Sequence, residues 1–346
     1  MAAKTDSFTR NFARQILLKH VESMISEVDG VSSAADIESI HRMRVASRRL
    51  RNALDLFGDI FPTRRLQRWM SSIKIITQSL GAARDLDVQI EVVNTFIQQT
   101  EPKYAAGARR LRNRLLQKRR KLQKKVQLTM AQAMADGQLL DMRLRFSPQP
   151  APVVNEADPG TDIEQEAIPE SSNQISPELY YRAVNSIFKR LDNFLAYEIA
   201  MYNPENITEL HAMRIQAKWL RYALETFAVL YHDELKKPVT VARTTQEFLG
   251  QIHDCDVWTS ILPRFIKREY KLTKKYYGTD APFNFLRPGL EGFMHNRLET
   301  RNTLYQEFLA QWAAWQKEGV WDKLRLSLTE PLAKPASQQG LPTLDE

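Results

Sequence analysis

Two segments of this chain repeat each other without a gap. Residues 40–60 read IHRMRVASRRLRNALDLFGDI, and residues 210–230 read LHAMRIQAKWLRYALETFAVL. Two shorter matches follow in the same order, LGAARDLDV (80–88) with LGQIHDCDV (249–257) and NRLLQK (113–118) with NRLETR (296–301). The shift in numbering, which is the difference in residue number between two matched positions, is constant within each segment. It changes only between the segments, where loops absorb insertions. The chain is therefore built from two copies of one unit.

Apolar residues recur at three- and four-residue spacing along both copies, a period typical of amphipathic helices. In the first copy this pattern predicts helices over 7–28, 36–60, 63–81, 85–100 and 102–136. In the second copy it predicts helices over 177–201, 205–231, 239–253, 255–268 and 287–316. Only 12 of 346 residues are glycine, and no alternating run with hairpin turns occurs. We expect an all-α fold of two equivalent helical bundles.

A proline-rich acidic segment separates the two copies. Six prolines between residues 147 and 177 accompany acidic and small polar residues, a composition typical of a disordered connector. The predicted organisation is a first repeat over 5–136, a linker over 137–176, a second repeat over 177–317 and a tail over 318–346.

The charge of the chain is unevenly distributed. The net charge is +8, and residues 147–178 hold seven acidic side chains without a lysine or arginine, so the remainder carries +15. Such an excess favours acidic partners without saying which kind. Cys255 is the only cysteine, which excludes an intramolecular disulfide and suits a reducing compartment. No uncharged apolar run approaches the ~18–20 residues of a membrane span. These features predict a cytoplasmic protein with no membrane partner.

The polar residues shared by the two copies form one stripe on a helix. They are His41/His211, Arg44/Arg214, Arg48/Lys218 and Arg51/Arg221. At ~100° per residue, positions i, i+3, i+7 and i+10 lie within an arc of about 80°, opposite an apolar face. The stripe runs ~15 Å at a rise of 1.5 Å per residue, so it suits several phosphate groups in a row. A cationic helix face is usually only solvated, but finding it twice at identical spacing favours binding of an extended anion.

Other cations also match between the copies. Lys74/Arg243 precede Gly81/Gly250 by seven residues, and Arg114/Arg297 precede Lys118/Arg301 by one helical turn. Much of the basic run from Lys103 to Lys125 has no match in the second copy, and we interpret it as a general electrostatic surface. The candidate anion-binding residues are therefore His41, Arg44, Arg48, Arg51, Lys74, Arg114, Lys118, His211, Arg214, Lys218, Arg221, Arg243, Arg297 and Arg301.

Duplicated aspartates, Asp85/Asp254 and Asp87/Asp256, follow a glycine at a predicted helix junction. We interpret them as helix N-caps or partners of nearby arginines rather than metal ligands. His253-Asp254 looks like a dyad of metal-dependent phosphohydrolases, but the first copy has Arg84 at that place, and arginine cannot ligate a metal. The sequence predicts no metal site, no cofactor and no catalytic residues.

At these residues the chain resembles the CHAD family, the conserved histidine α-helical domain. The resemblance is carried by H-x-x-R-x-x-x-R-x-x-R at His41–Arg51, by its second copy at His211–Arg221, and by L-G-x-x-R-D-x-D-V at Leu80–Val88. It implies two antiparallel four-helix bundles related by a pseudo-twofold axis, a basic central pore or groove, and binding of inorganic polyphosphate without catalysis. Two positions depart from the pattern, because Lys218 replaces an arginine and His253 replaces a basic residue.

Three alternatives stay open beside binding of long-chain polyphosphate. The charge permits a nucleic-acid binder, although no reading motif or aromatic platform is recognised. A second alternative is a scaffold associated with polyphosphate granules, for which the sequence indicates no protein partner. The third is a phosphohydrolase built on His253-Asp254, which the first copy argues against.

Overall fold

A computed structural model describes residues 5–33, 37–148 and 176–333, and these residues form helices joined by short turns. The first copy comprises α1 (Ser7–Ile25), α2 (Val28–Ser33), α3 (Ile37–Phe57), α4 (Thr63–Gln99), α5 (Pro102–Ala135) and α6 (Gln138–Phe146). The second comprises α7 (Pro177–Leu195), α8 (Ile207–Phe227), α9 (Lys236–Tyr277), α10 (Ala281–Lys317) and α11 (Val320–Ala333). The all-α prediction is confirmed. No helix in the described ranges has the length and apolar character needed to cross a bilayer.

The α4 and α9 helices run unbroken through the predicted junctions near Gly81 and Gly250. The sequence pattern predicts that helices end at residues 81 and 253, and that prediction is wrong. A glycine inside a helix costs only about 1 kcal/mol relative to alanine. The neighbouring turns of α4 bury Ile76, Leu80 and Ala83, and burying such side chains outweighs that cost. Asp85 and Asp254 therefore lie inside long helices and cap neither of them.

Each copy ends in a short further helix that the predicted boundaries miss. Gly137 (φ 69°) and Gly319 (φ 63°) adopt the left-handed conformation immediately before α6 and α11. Leu139, Met142 and Phe146 pack into the first core, as Trp321, Leu324 and Leu328 pack into the second. Helix α6 therefore lies within the predicted linker, and α11 lies within the predicted tail. The rest of the predicted linker and the chain beyond Ala333 lie outside the described residues.

Within residues 5–33, 37–148 and 176–333, three hydrophobic cores hold the helices together. One joins α1, α3 and α6 to the first part of α4 and the last part of α5. A second joins α7, α8 and α11 to the corresponding parts of α9 and α10, and it also takes in Ala13, Leu56 and Phe57 from the first copy. The third lies where the remaining parts of α4, α5, α9 and α10 pack together. The two copies thus share a core rather than standing as separate bundles.

Two glycines allow α5 and α10 to cross at backbone distance. A Cβ atom placed on Gly107 would lie 2.1 Å from the carbonyl oxygen of Leu286, and one on Gly289 would lie 2.1 Å from that of Tyr104. Gly107 and Gly289 are separated by the same shift in numbering as Gly137 and Gly319, so they are equivalent positions. The contact is therefore reciprocal, as a twofold relation between the copies requires. Away from this crossing, Arg182 of α7 joins the two copies by binding both carboxylate oxygens of Asp59 at 2.7 Å.

Candidate functional site

The two predicted stripes lie on α3 and α8, which meet near their C-terminal ends. We call the eight residues together the paired stripe: His41, Arg44, Arg48, Arg51, His211, Arg214, Lys218 and Arg221. The Asn52 amide donates to Thr226 Oγ1 at 3.4 Å, and Arg49 contacts Glu225 at 3.2 Å. The opposite face of each helix is buried, with Met43 and Met213 fully enclosed. Each helix therefore buries one face in its own core and leaves the stripe half-buried beside the other copy.

The ammonium group of Lys218 shows that the two stripes are close together. Its pKa is lowered to about 8 by burial and by repulsion from Arg48, Arg214, Arg51 and Arg44. Three of these four arginines belong to α3, so cations from both copies repel the same ammonium group. The paired stripe is thus a concentration of positive charge that its own protein neutralises only in part.

Four arginines of the paired stripe share an unusual feature. The Nε atoms of Arg44, Arg51, Arg214 and Arg221 are all buried and have no hydrogen-bond partner within the described part of the chain. A buried donor left unpaired costs about 1–3 kcal/mol. Arg112 and Arg182 also carry such an atom, but they do not belong to a duplicated pair. The four stripe donors occupy equivalent positions in the two copies, as a shared ligand would require.

Histidines and aspartates lie at the N-terminal end of the paired stripe. His211 Nδ1 is 3.1 Å from His253 Nδ1, and burial together with His211 and Arg214 lowers the pKa of His253 to about 4. Arg44 contacts Asp85 at 3.1 Å. Burial raises the pKa of Asp254, against the opposing effect of Arg214. In the described residues, no three histidine, cysteine or acidic side chains are grouped as a metal site would need.

Asp87 and Asp256 bind arginines, in agreement with one of the two interpretations of these aspartates. Asp87 accepts from Arg119 at 2.7 Å, and Asp256 accepts from Arg301. The equivalent cations are therefore Arg119 and Arg301, which are separated by the same shift in numbering as the two glycines at the helix crossing. The predicted pairs Arg114/Arg297 and Lys118/Arg301 are out of register by one residue. Arg301 is buried and donates hydrogen bonds to Asp256 and to the carbonyl oxygen of Pro204, so its guanidinium group is not available to a ligand.

The other predicted residues of α5 and α10 lie apart from the paired stripe. Arg114 donates to the fully buried Glu269 at 2.8 Å. Arg297 lies over the ring of Phe293, 5.4 Å from its centre, and binds Asn296. Lys118 is exposed and lines a cleft between α5 and α9. No contact in the described residues joins these three cations to the stripe.

Lys74 and Arg243 are exposed on α4 and α9. Arg243 lies 4.0 Å from Glu225, a carboxylate that also contacts Arg221 at 3.7 Å, so it extends the cationic surface at the end of the stripe on α8. Lys74 is the counterpart of Arg243 in the first copy. Among the described residues, it makes no such contact near Arg51.

Two cavities at equivalent positions flank the contact between α3 and α8. One, of 470 Å³, is lined by Arg51, Lys189 and Trp219, and the other, of 310 Å³, by Lys19, Arg49 and Arg243. Lys19 and Lys189 are related by the same shift in numbering as His41 and His211, yet they are absent from the predicted site. Extending the alignment from α3 and α8 to α1 and α7 finds this pair.

The sequence of this chain matches the model of a known protein family. Two solved structures are similar at a TM-score of 0.49: the CHAD domain from the plant Ricinus communis, 23% identical, and PptA from Streptomyces chartreusis, 13% identical. The first match covers 84% of this chain and 95% of that one, and the second covers 87% and 99%. No curated protein matches the sequence. The CHAD domain model matches residues 15–263. This chain belongs to the CHAD domain family.

Proposed function

We propose that this protein binds long-chain inorganic polyphosphate between α3 and α8 and does so without catalysis. The observation that carries the proposal is the set of four duplicated arginines whose buried Nε donors lack hydrogen-bond partners in the described residues. Some members of the family bind polyphosphate. Phosphate oxygens would accept from these donors in charge-assisted bonds, which are stronger than bonds between neutral groups. The anion would also reduce the repulsion around Lys218.

The arrangement of the donors favours an extended ligand over a single phosphate. Residues 41 to 51 of α3 cover ~15 Å, and α8 presents an equal length. The flanking cavities carry further cations at both sides of the helix pair, with Lys189 in one and Lys19 and Arg243 in the other. Successive phosphates of one chain would therefore meet successive cations. Where polyphosphate accumulates in granules, such binding would hold the protein there.

Affinity is expected to rise steeply with chain length. Pyrophosphate can reach only part of the paired stripe, and each charge-assisted bond that it leaves unmade costs about 1.5 kcal/mol, roughly tenfold in affinity. We expect pyrophosphate to bind at least ~100-fold more weakly per site than a long chain. Isothermal titration calorimetry at fixed salt measures this ratio. Equal affinities would rule out an extended site.

Nucleic acid is the second candidate ligand, and competition separates it from polyphosphate. Both are polyanions, so both are expected to bind more weakly as salt rises. The measurement is displacement of labelled long-chain polyphosphate by single-stranded RNA or DNA at equal phosphate concentration. We expect little displacement, since the ring of Trp219 beside the paired stripe already lies against the cations of Lys218 and Arg190, 4.8 and 5.8 Å from its centre, instead of being open to a base. Displacement at equal concentration would favour the nucleic-acid alternative.

Binding is expected to take up protons between about pH 8 and pH 10. The pKa of Lys218 is about 8 in the free protein because of burial and neighbouring arginines, and a bound anion raises it toward the ordinary value of 10.5. Affinity should therefore fall as pH rises through this window. Calorimetry in two buffers of different ionisation enthalpy measures the uptake. Lys218→Arg should bind polyphosphate without it, and uptake that persists in this variant would assign the proton elsewhere.

A further inference from the structure

A second cationic region lies in the cleft between α5 and α9, away from the paired stripe. The cleft has a volume of 490 Å³, within the range of about 300–1,000 Å³ typical of small-molecule sites. Five basic side chains line it, and no residue of α3 or α8 does. We call it the α5–α9 cleft and define it by Arg114, Lys118, Lys121, Arg264 and Arg268.

One of these five cations is held by a buried carboxylate, and the other four are not. Glu269 is fully buried and accepts from Arg110 at 2.7 Å and from Arg114 at 2.8 Å. Burial raises the pKa of Glu269, but the bonds from Arg114 and Arg110 outweigh it and keep the group ionised. Across the described residues, Lys118, Lys121, Arg264 and Arg268 have neither an acidic partner nor a hydrogen-bond partner. The cleft therefore carries a large unneutralised charge.

The equivalent surface on the other side of the molecule carries none of these charges. The shift in numbering from Asp85 to Asp254 relates α4 to α9, and the shift from Gly107 to Gly289 relates α5 to α10. The counterparts of Arg264 and Arg268 are Thr95 and Gln99, and those of Arg114, Lys118 and Lys121 are Asn296, Thr300 and Thr303. The apolar Phe265 keeps an apolar counterpart in Phe96. The charge is thus specific to one cleft and is not required by the shared helical framework.

The floor of the α5–α9 cleft is apolar. Phe265 and Leu115 are half-buried there, Ile261 is 39% exposed, and Trp258 lies beneath them. A polyphosphate chain has no apolar surface to place on such a floor. A ligand that joins an aromatic ring to several phosphates would use both parts, since the ring can pack on the floor while arginines and lysines bind the phosphates.

We propose that the α5–α9 cleft binds a nucleoside triphosphate, with the base on Phe265 and Ile261 and the phosphates between Arg264, Arg268 and Lys118. This site is separate from the one proposed for polyphosphate, so either can fail without the other. The equivalent surface on α4 and α10 suggests the variant that tests this site. Its uncharged residues occupy the same positions in the same helical framework, so they are compatible with the packing of α5 and α9. Arg264→Thr, Arg268→Gln and Lys121→Thr together give these three positions the residues of the equivalent surface.

Calorimetry with ATP and with long-chain polyphosphate tests the proposal. We expect ATP to bind the unmodified protein, the triple variant to lose at least ~10-fold in ATP affinity, and long-chain polyphosphate to bind both proteins equally. A loss of polyphosphate affinity with ATP binding unchanged would instead place these cations in the polyphosphate site and overturn the inference.

Photolabelling with 8-azido-ATP locates the ligand independently of affinity. Label on peptides from residues 258–268, removed by ATP far more effectively than by tripolyphosphate, is the expected result. Label confined to α3 and α8, or equal competition by tripolyphosphate, would show that the cleft does not recognise a base. That outcome would contradict the proposal while leaving the polyphosphate site untouched.

Discussion

Gly107→Ala is expected to lower the free energy of unfolding by about 3 kcal/mol or more, at the upper end of the cost of overpacking. The new Cβ would lie 2.1 Å from the carbonyl oxygen of Leu286 and 2.8 Å from the amide nitrogen of Leu290. Both are backbone atoms of α10, so the clash is relieved only if α5 and α10 move apart. That movement would open the core shared by the two copies. Chemical denaturation followed by circular dichroism measures the loss.

Gly81→Ala is the matched control for this prediction. Gly81 also lies inside a long helix, but a Cβ atom there meets nothing within 4 Å. Alanine is favoured over glycine in a helix by about 0.5–1 kcal/mol, so this change should stabilise the protein slightly. Gly289→Ala, which would meet the carbonyl oxygen of Tyr104 at 2.1 Å, should behave like Gly107→Ala. Similar effects at Gly81 and Gly107 would contradict the close crossing of the two helices.

The all-α fold class and the duplication can be predicted because both depend on short-range sequence patterns. The three- and four-residue period of α3 and α8 identifies their apolar faces, and the matched spacing identifies the stripes. Helix ends are less predictable. Gly81 and Gly250 indicate junctions because glycine disfavours helix locally, whereas the packing of whole helices decides the outcome.

The register between α5 and α10 cannot be read from local identity. The shared letters N-R-L align Arg114 with Arg297, but the long-range contacts of Asp87 and Asp256 align Arg119 with Arg301. Sequence reasoning also cannot show that Arg114 meets a buried carboxylate 155 residues away. Whether a cation is free to bind a ligand depends on such distant partners. For that reason the sequence could not show that the predicted anion-binding residues of α5 and α10 lie apart from the paired stripe.

Changing Arg44, Arg51, Arg214 and Arg221 together to alanine is expected to lower affinity for long-chain polyphosphate by at least ~1,000-fold. Each arginine would contribute about 1.5–3 kcal/mol through charge-assisted bonds to buried donors, and a loss of about 4.1 kcal/mol already corresponds to 1,000-fold. Stability should fall much less than affinity, because among the described residues the change removes only the ion pairs of Arg44 with Asp85 and of Arg221 with Glu225 while it relieves the repulsion among clustered cations. Thermal denaturation of the free variant checks that it is folded.

A variant with lysine at the same four positions separates charge from geometry. Lysine keeps the positive charge but lacks the forked donors of arginine, which bind paired phosphate oxygens. Its affinity should lie between those of the unmodified protein and the alanine variant. If the lysine variant binds as tightly as the unmodified protein, net charge alone explains the binding.

The central claim is that the paired stripe is the site of polyphosphate binding. Its most direct test is the equilibrium affinity of long-chain polyphosphate for the unmodified protein and for the four-alanine variant, measured by calorimetry at ~0.15 M salt, where screening weakens general surface attraction. The expected result is tight binding by the first protein and loss of binding by the folded variant. Full affinity in the variant would contradict the claim and place the site elsewhere on the protein.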